Sequence, residues 1–136
     1  MRSYMIQPIL VSFNEAVADL LFPSERAHPF EVLIWKQSKS AFSSDDLIRL
    51  AQLSGDVKIE VVDMDEFFSI ATTEESWHEE PERRDVRRFR HLVETLRQHL
   101  SSIKIFRAGE VSVDVFIVGK ATKDEWIVLK TRVVET

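Results

Sequence analysis

The sequence predicts an α+β protein, a three-layer α/β/α sandwich around a largely antiparallel sheet. Three observations carry that reading. Five stretches alternate residue types at strand period, at 29–36, 57–62, 103–107, 110–118 and 126–134. Segments of helical period precede and separate them, which places helices against a sheet. The connections near residue 108 and across 119–125 are short enough to be hairpins, which makes the neighbouring strands antiparallel. A chain of 136 residues, 44% apolar and 30% charged, suits one domain, residues 1–136, with a single core.

The elements follow in order. Ile9, Phe13, Ala16, Val17, Leu20 and Leu21 recur at helical spacing, so the first helix is expected over 8–21, with Pro8 in its first turn. Pro23 stops it, because the ring fixes φ and removes a donor. Residues 24–28 are too polar and too short to be anything but a loop, and they put Glu25 at its tip. Pro29 restarts extended chain, in which Phe30, Val32 and Ile34 alternate with Glu31, Leu33 and Trp35. After a polar loop over 37–43, Ser43 caps a helix over 44–53, with Asp45 and Asp46 set against its N-terminal dipole and Gly55 closing it.

In the strand over 57–62, Val57, Ile59 and Val61 face one way and Lys58 and Glu60 the other. Asp63 or Asp65 then caps a short helical turn carrying Phe67, Phe68 and Ile70. Residues 71–81 are irregular, with Trp77 amid glutamates. The longest helix runs from Pro81 to about residue 101, on a stripe formed by Val86, Phe89, Val93, Leu96 and Leu100. Val111, Val113, Val115 and Ile117 alternate cleanly, and Phe116 and Val118 on the opposite face imply a strand covered on both sides. The strand over 126–134 ends the pattern.

Composition excludes several functions. There is no cysteine, hence no disulfide and no thiolate chemistry. The apolar stretch near Arg2 is broken by Gln7 and Pro8, a poor secretory signal, and no run approaches the roughly 20 apolar residues of a membrane span. A soluble cytoplasmic protein is expected. Net charge is −5, unevenly spread: residues 56–82 hold ten acidic residues against Lys58, and residues 83–107 hold eight basic residues against Asp85 and Glu94. An acidic stretch repels nucleic acid and speeds encounter with a basic protein surface. The arginines of 83–97 lack interleaved aromatics, Phe89 belonging to the apolar stripe, so nucleic-acid binding is not expected. No phosphate loop, GxSxG or HExxH occurs, and His28, His78, His91 and His99 are too scattered to share a metal. Asp63 and Asp65 read as a helix cap rather than a catalytic pair. No enzyme and no cofactor are expected.

LLFPSE and HPFEVLIW in 20–35, VVDMDEFFSIATTEESW in 61–77, AGEVSVDVFIVG in 108–119 and the final VVET together resemble the nuclease A inhibitor family. The resemblance covers nearly the whole chain. It departs in the extreme N-terminus, the second helix and the turn at 119–125. It implies an α/β/α sandwich, and a protein that plugs the catalytic cleft of a sugar-non-specific ββα-metal nuclease. Acidic oxygens would engage that nuclease's catalytic Mg²⁺ where a substrate phosphate lies. Residue by residue, the resemblance puts Glu25, Trp77 and Thr136 against the partner. Hard oxygens are what Mg²⁺ accepts, and Thr136 could offer a hydroxyl and an α-carboxylate. Trp77 is a side chain of the kind that anchors interfaces. From the residues alone, Glu25 is a solvated loop carboxylate, Trp77 a core or half-buried side chain and Thr136 a chain end. The implied partner is a nuclease that carries the Mg²⁺, and the free protein is expected to be a monomer. The other reading is an interaction module of the same fold with an unrelated partner.

Overall fold

The computed structural model describes residues 2–24 and 26–134, with side chains from residue 6 onward. Its elements in chain order are α1 (Arg2–Val17), β1 (Glu31–Lys36), α2 (Ser44–Ala51), β2 (Ile59–Val62), α3 (Met64–Thr72), α4 (Glu80–His99), β3 (Ser101–Ala108), β4 (Ser112–Lys120) and β5 (Glu125–Val134). Helices and an antiparallel sheet make it an α+β fold. The five strands lie in the order β1-β5-β4-β3-β2, and every neighbouring pair is antiparallel. The two pairs joined by short hairpin connections, β3–β4 and β4–β5, occupy the centre. β1 and β2 lie at opposite edges, so the segment carrying α2 crosses from one edge to the other.

Alternation along the central strands sends apolar side chains to both faces. Val113, Val115 and Ile117 of β4, with Ile105, Ile127 and Leu129 from its neighbours, join Phe13, Phe68, Phe89, Leu92 and Leu96 in one core. Phe116 and Val118 of β4, with Phe106, Trp126 and Val128, meet Phe42 and Leu47 in a second. The first face thus carries α1, α3 and α4, and the second carries α2 and its flanking loops.

Several boundaries shift for physical reasons. α1 begins before Pro8, which lies inside it, and ends at Val17 rather than at residue 21. The earlier turn carries Ile6, 1% exposed in the core, and that burial offsets the bond lost at proline. Asp19 turns left-handed at φ 59°, ending the helix before Leu20 can continue it. α2 closes on left-handed Gln52 (φ 56°), three residues ahead of Gly55, because Leu53 turns back onto the second core. Asp63 takes the cap of α3, its carboxylate accepting the Asp65 and Glu66 N–H groups at 3.0 and 3.3 Å. α4 starts at Glu80, with Pro81 in its first turn. The strand expected over 110–118 starts at Ser112 instead. Val111 is exposed in the hairpin, where Gly109 adopts φ +119°.

Candidate functional site

Of the three residues expected against a partner, Glu25 and Thr136 lie outside the described residues, and Trp77 lies within them. Trp77 is 69% exposed, in the loop between α3 and α4, which corrects the core or half-buried placement its residue type suggests. Its indole meets the His78 ring edge-on at 4.3 Å between centroids.

That loop is held from beneath by α4. Arg83 donates to the His78 carbonyl at 2.8 Å and lies 3.6 Å from Glu80. Arg90 donates to the Thr72 carbonyl at 2.8 Å, tying down the end of α3, and Arg97 pairs with Asp65 near its start. Within the loop, the Glu75 N–H donates to His78 Nδ1 at 3.0 Å. Arg88 reaches the other way, donating to the Ala16 and Ala18 carbonyls at 3.2 and 2.6 Å and closing the end of α1. The arginine run that looks like a solvated or anion-binding face in sequence thus satisfies the carbonyls of three neighbouring segments.

Beside Trp77 is a groove of about 400 Å³. Leu21, Pro23, Ile70, Val86 and Phe89 contribute its apolar surface, and Glu75, Glu82 and Asp85 its carboxylates. Leu21, Ile70 and Trp77 are 46%, 64% and 69% exposed, so three large apolar side chains face solvent around one depression. Ile70 belongs to the helical turn the sequence assigns beside Phe67 and Phe68, yet those two are buried and it is not. The Glu79 N–H, 2.9 Å from Glu82 Oε1, holds the Glu82 carboxyl below the usual glutamate range.

A second groove, of about 330 Å³, is lined by Phe22, Pro23, Glu60, Val61, Asp63 and Val133, among others. Pro23 borders both grooves. The described flank of the Glu25 position therefore adjoins Trp77 on one side and, on the other, Val133 near the end of β5. An antiparallel bridge between Leu21 and Pro29 closes the base of the loop that carries that flank. Sequence reasoning missed Leu21, Val61 and Ile70 as surface residues. Their signal was weak: each sits at an apolar position of a periodic segment, and only tertiary packing decides which such positions are left uncovered.

Among the described residues, no group of three His, Cys, Asp or Glu side chains is placed to hold a metal, and no helix is long and apolar enough to cross a membrane. The described residues thus bring together an exposed indole, an apolar groove and a carboxylate rim. The family comparison then specifies the protein further. The model of the nuclease A inhibitor-like protein family matches residues 7–136, and the chain belongs to that family. No curated protein matches it.

Proposed function

We propose that this chain inhibits a sugar-non-specific ββα-metal nuclease by occupying its active site. In this reading Glu25 presents carboxylate oxygens and Thr136 an oxygen ligand toward the partner's catalytic Mg²⁺, and Trp77 anchors the rim of the interface. Such a cleft is cationic and built for a phosphoryl group around a hard metal, so carboxylates are suitable occupants. The inhibitor brings no metal or cofactor of its own and performs no catalysis. It acts as a single domain and a monomer in the cytoplasm. Burial of the sheet on both faces supports reading that domain as a three-layer α/β/α sandwich.

One observation supports this most. Pro23, two residues before Glu25, lines one groove with Trp77 and another with Val133, so segments far apart in sequence meet at adjoining grooves. A docking surface needs that convergence; three unrelated solvent positions do not.

The test is digestion of DNA by a ββα-metal nuclease with Mg²⁺, with and without the purified protein. Stoichiometric loss of cleavage is expected. Undiminished digestion at a large molar excess overturns the assignment to this nuclease class. Glu25→Gln then examines the metal-facing role. It removes one charge with little change of shape, so inhibition should weaken while melting stays the same. Unaltered inhibition would leave that loop a mere connector.

A further inference from the structure

We propose that the groove beside Trp77 is a receptor for an arginine side chain carried on the partner's surface. The proposal rests on the inhibitor reading for the identity of the partner, and on the groove itself for the chemistry. The lining includes three carboxylates, Glu75, Glu82 and Asp85, and neither lysine nor arginine. The α4 arginine next to the groove is already engaged: Arg83 bonds the His78 carbonyl and lies beside Glu80. Glu75 and Asp85 have no ion-pair partner among the described residues.

The remaining surface is apolar, from Leu21, Ile70, Val86 and Phe89, and Trp77 supplies an exposed aromatic face. An occupant that satisfies both halves has a hydrocarbon stem and a cationic head. Arginine fits better than lysine, because its planar guanidinium stacks on an indole, is less strongly hydrated and offers several donors to separate carboxylates. A purely apolar occupant would leave the Glu75 and Asp85 carboxylates without an ion-pair partner, and an anion would be repelled. A partner with a basic cleft carries such side chains at its rim.

The experiment uses the full chain and no nuclease. Isotope-labelled protein is titrated with N-acetyl-arginine amide while NMR follows the Trp77 indole N–H and the Ile70 and Leu21 methyls. Saturable shifts at all three are expected, with Kd on the order of 1–10 mM for a fragment of this size. N-acetyl-citrulline amide, the same shape without the charge, should bind at least about fivefold more weakly. The Glu75→Gln/Glu82→Gln/Asp85→Asn variant should weaken arginine binding roughly three- to tenfold. The amide oxygen introduced by Glu82→Gln can still accept the Glu79 N–H, so the start of α4 is preserved. Should the triple variant melt lower, Asp85→Asn alone, expected to weaken binding in the same direction, carries the test.

Silent resonances up to about 50 mM, far above that range, overturn the proposal. So does an equal response to the citrulline or a norleucine amide, or an unchanged affinity in the neutralised variant. Because no nuclease is present, the two readings fail separately. A protein that binds arginine here yet leaves DNA digestion untouched keeps the groove and loses the inhibitor assignment. An active inhibitor with a silent groove does the reverse.

Discussion

Trp77 and Gly109 place opposite demands on the chain. The indole of Trp77 is mostly in water, so its truncation removes little that holds the fold together. Trp77→Ala should change stability by no more than about 0.5 kcal/mol, while weakening nuclease inhibition by about 2–4 kcal/mol if it anchors the interface. Thermal melting and an inhibition titration on the same preparation separate the two quantities. A large fall in melting temperature would return Trp77 to a structural role. Gly109 is bound to the fold instead. Its φ of +119° is accessible to glycine, and a Cβ there would lie 2.6 Å from the Ser112 carbonyl oxygen. Gly109→Ala should therefore cost about 1–3 kcal/mol, read by chemical denaturation, because backbone rather than a movable side chain blocks the added methyl.

At the scale of elements, α2 shows how a short helix is stabilised. Ser43 and Asp46 form a reciprocal capping box: the Asp46 N–H donates to Ser43 Oγ at 3.2 Å, and the Ser43 N–H donates to Asp46 Oδ2 at 2.9 Å. Lys39 and Arg49 add donors at 2.9 and 3.1 Å. Burial alone would raise the carboxyl's pKa, but Lys39, the Ser43 N–H, the Ser43 hydroxyl at 3.0 Å and Arg49 outweigh it and hold Asp46 well below the ordinary aspartate value of about 3.9. The native state thus binds this proton less readily than the unfolded chain. Its contribution to stability is complete above about pH 4 and is lost as pH falls further. Asp46→Asn should flatten the acid limb of the stability–pH curve below pH 4, seen in denaturation midpoints across pH. At neutral pH, Asp46→Ala should cost about 1–2 kcal/mol. An acid limb unchanged in Asp46→Asn would remove Asp46 from the linkage.

Across the whole molecule, opposite charges are segregated along the chain and then interleaved by folding. The acidic stretch over 56–82 supplies groove-lining carboxylates at Glu60, Asp63, Glu75 and Glu82, whereas several arginines of 83–97 are hydrogen-bonded to carbonyls or paired with glutamates of the same region. The two groove linings hold six carboxylates, Glu60, Asp63, Glu66, Glu75, Glu82 and Asp85, against one arginine, Arg107, and no lysine, so the local field is acidic. Association with a cationic cleft should slow markedly between low salt and physiological ionic strength, where the Debye length is about 8 Å. Stopped-flow association rates at several salt concentrations measure this. A flat dependence would mean that encounter proceeds without electrostatic steering.

Much of this was legible in the sequence, because periodicity is a local property. The alternation of Val113, Val115 and Ile117 with Phe116 and Val118 implied a strand covered on both faces, and the short connection at Gly109 implied a hairpin. Ser43 announced its cap, and the motifs around Glu25, Trp77 and Thr136 carried the family resemblance that the match over residues 7–136 bears out. Other features depended on contacts between distant segments. Helix ends moved where core packing outweighed local signals, as Ile6 did before Pro8 and Leu53 did before Gly55. The arginines of α4 read as a basic face until folding brought the ends of α1 and α3 within their reach. Ile70 and Phe67 are both apolar in sequence, yet Phe67 is buried, its ring 4.4 Å from that of Phe22, and Ile70 is left exposed beside Trp77. The sequence by itself determined which residues could form helices, strands and caps, because those preferences depend on near neighbours along the chain. Which apolar positions stayed uncovered, and how Leu21, Ile70 and Trp77 came to share one groove, were decided by the tertiary structure, because burial depends on what the rest of the chain packs against them.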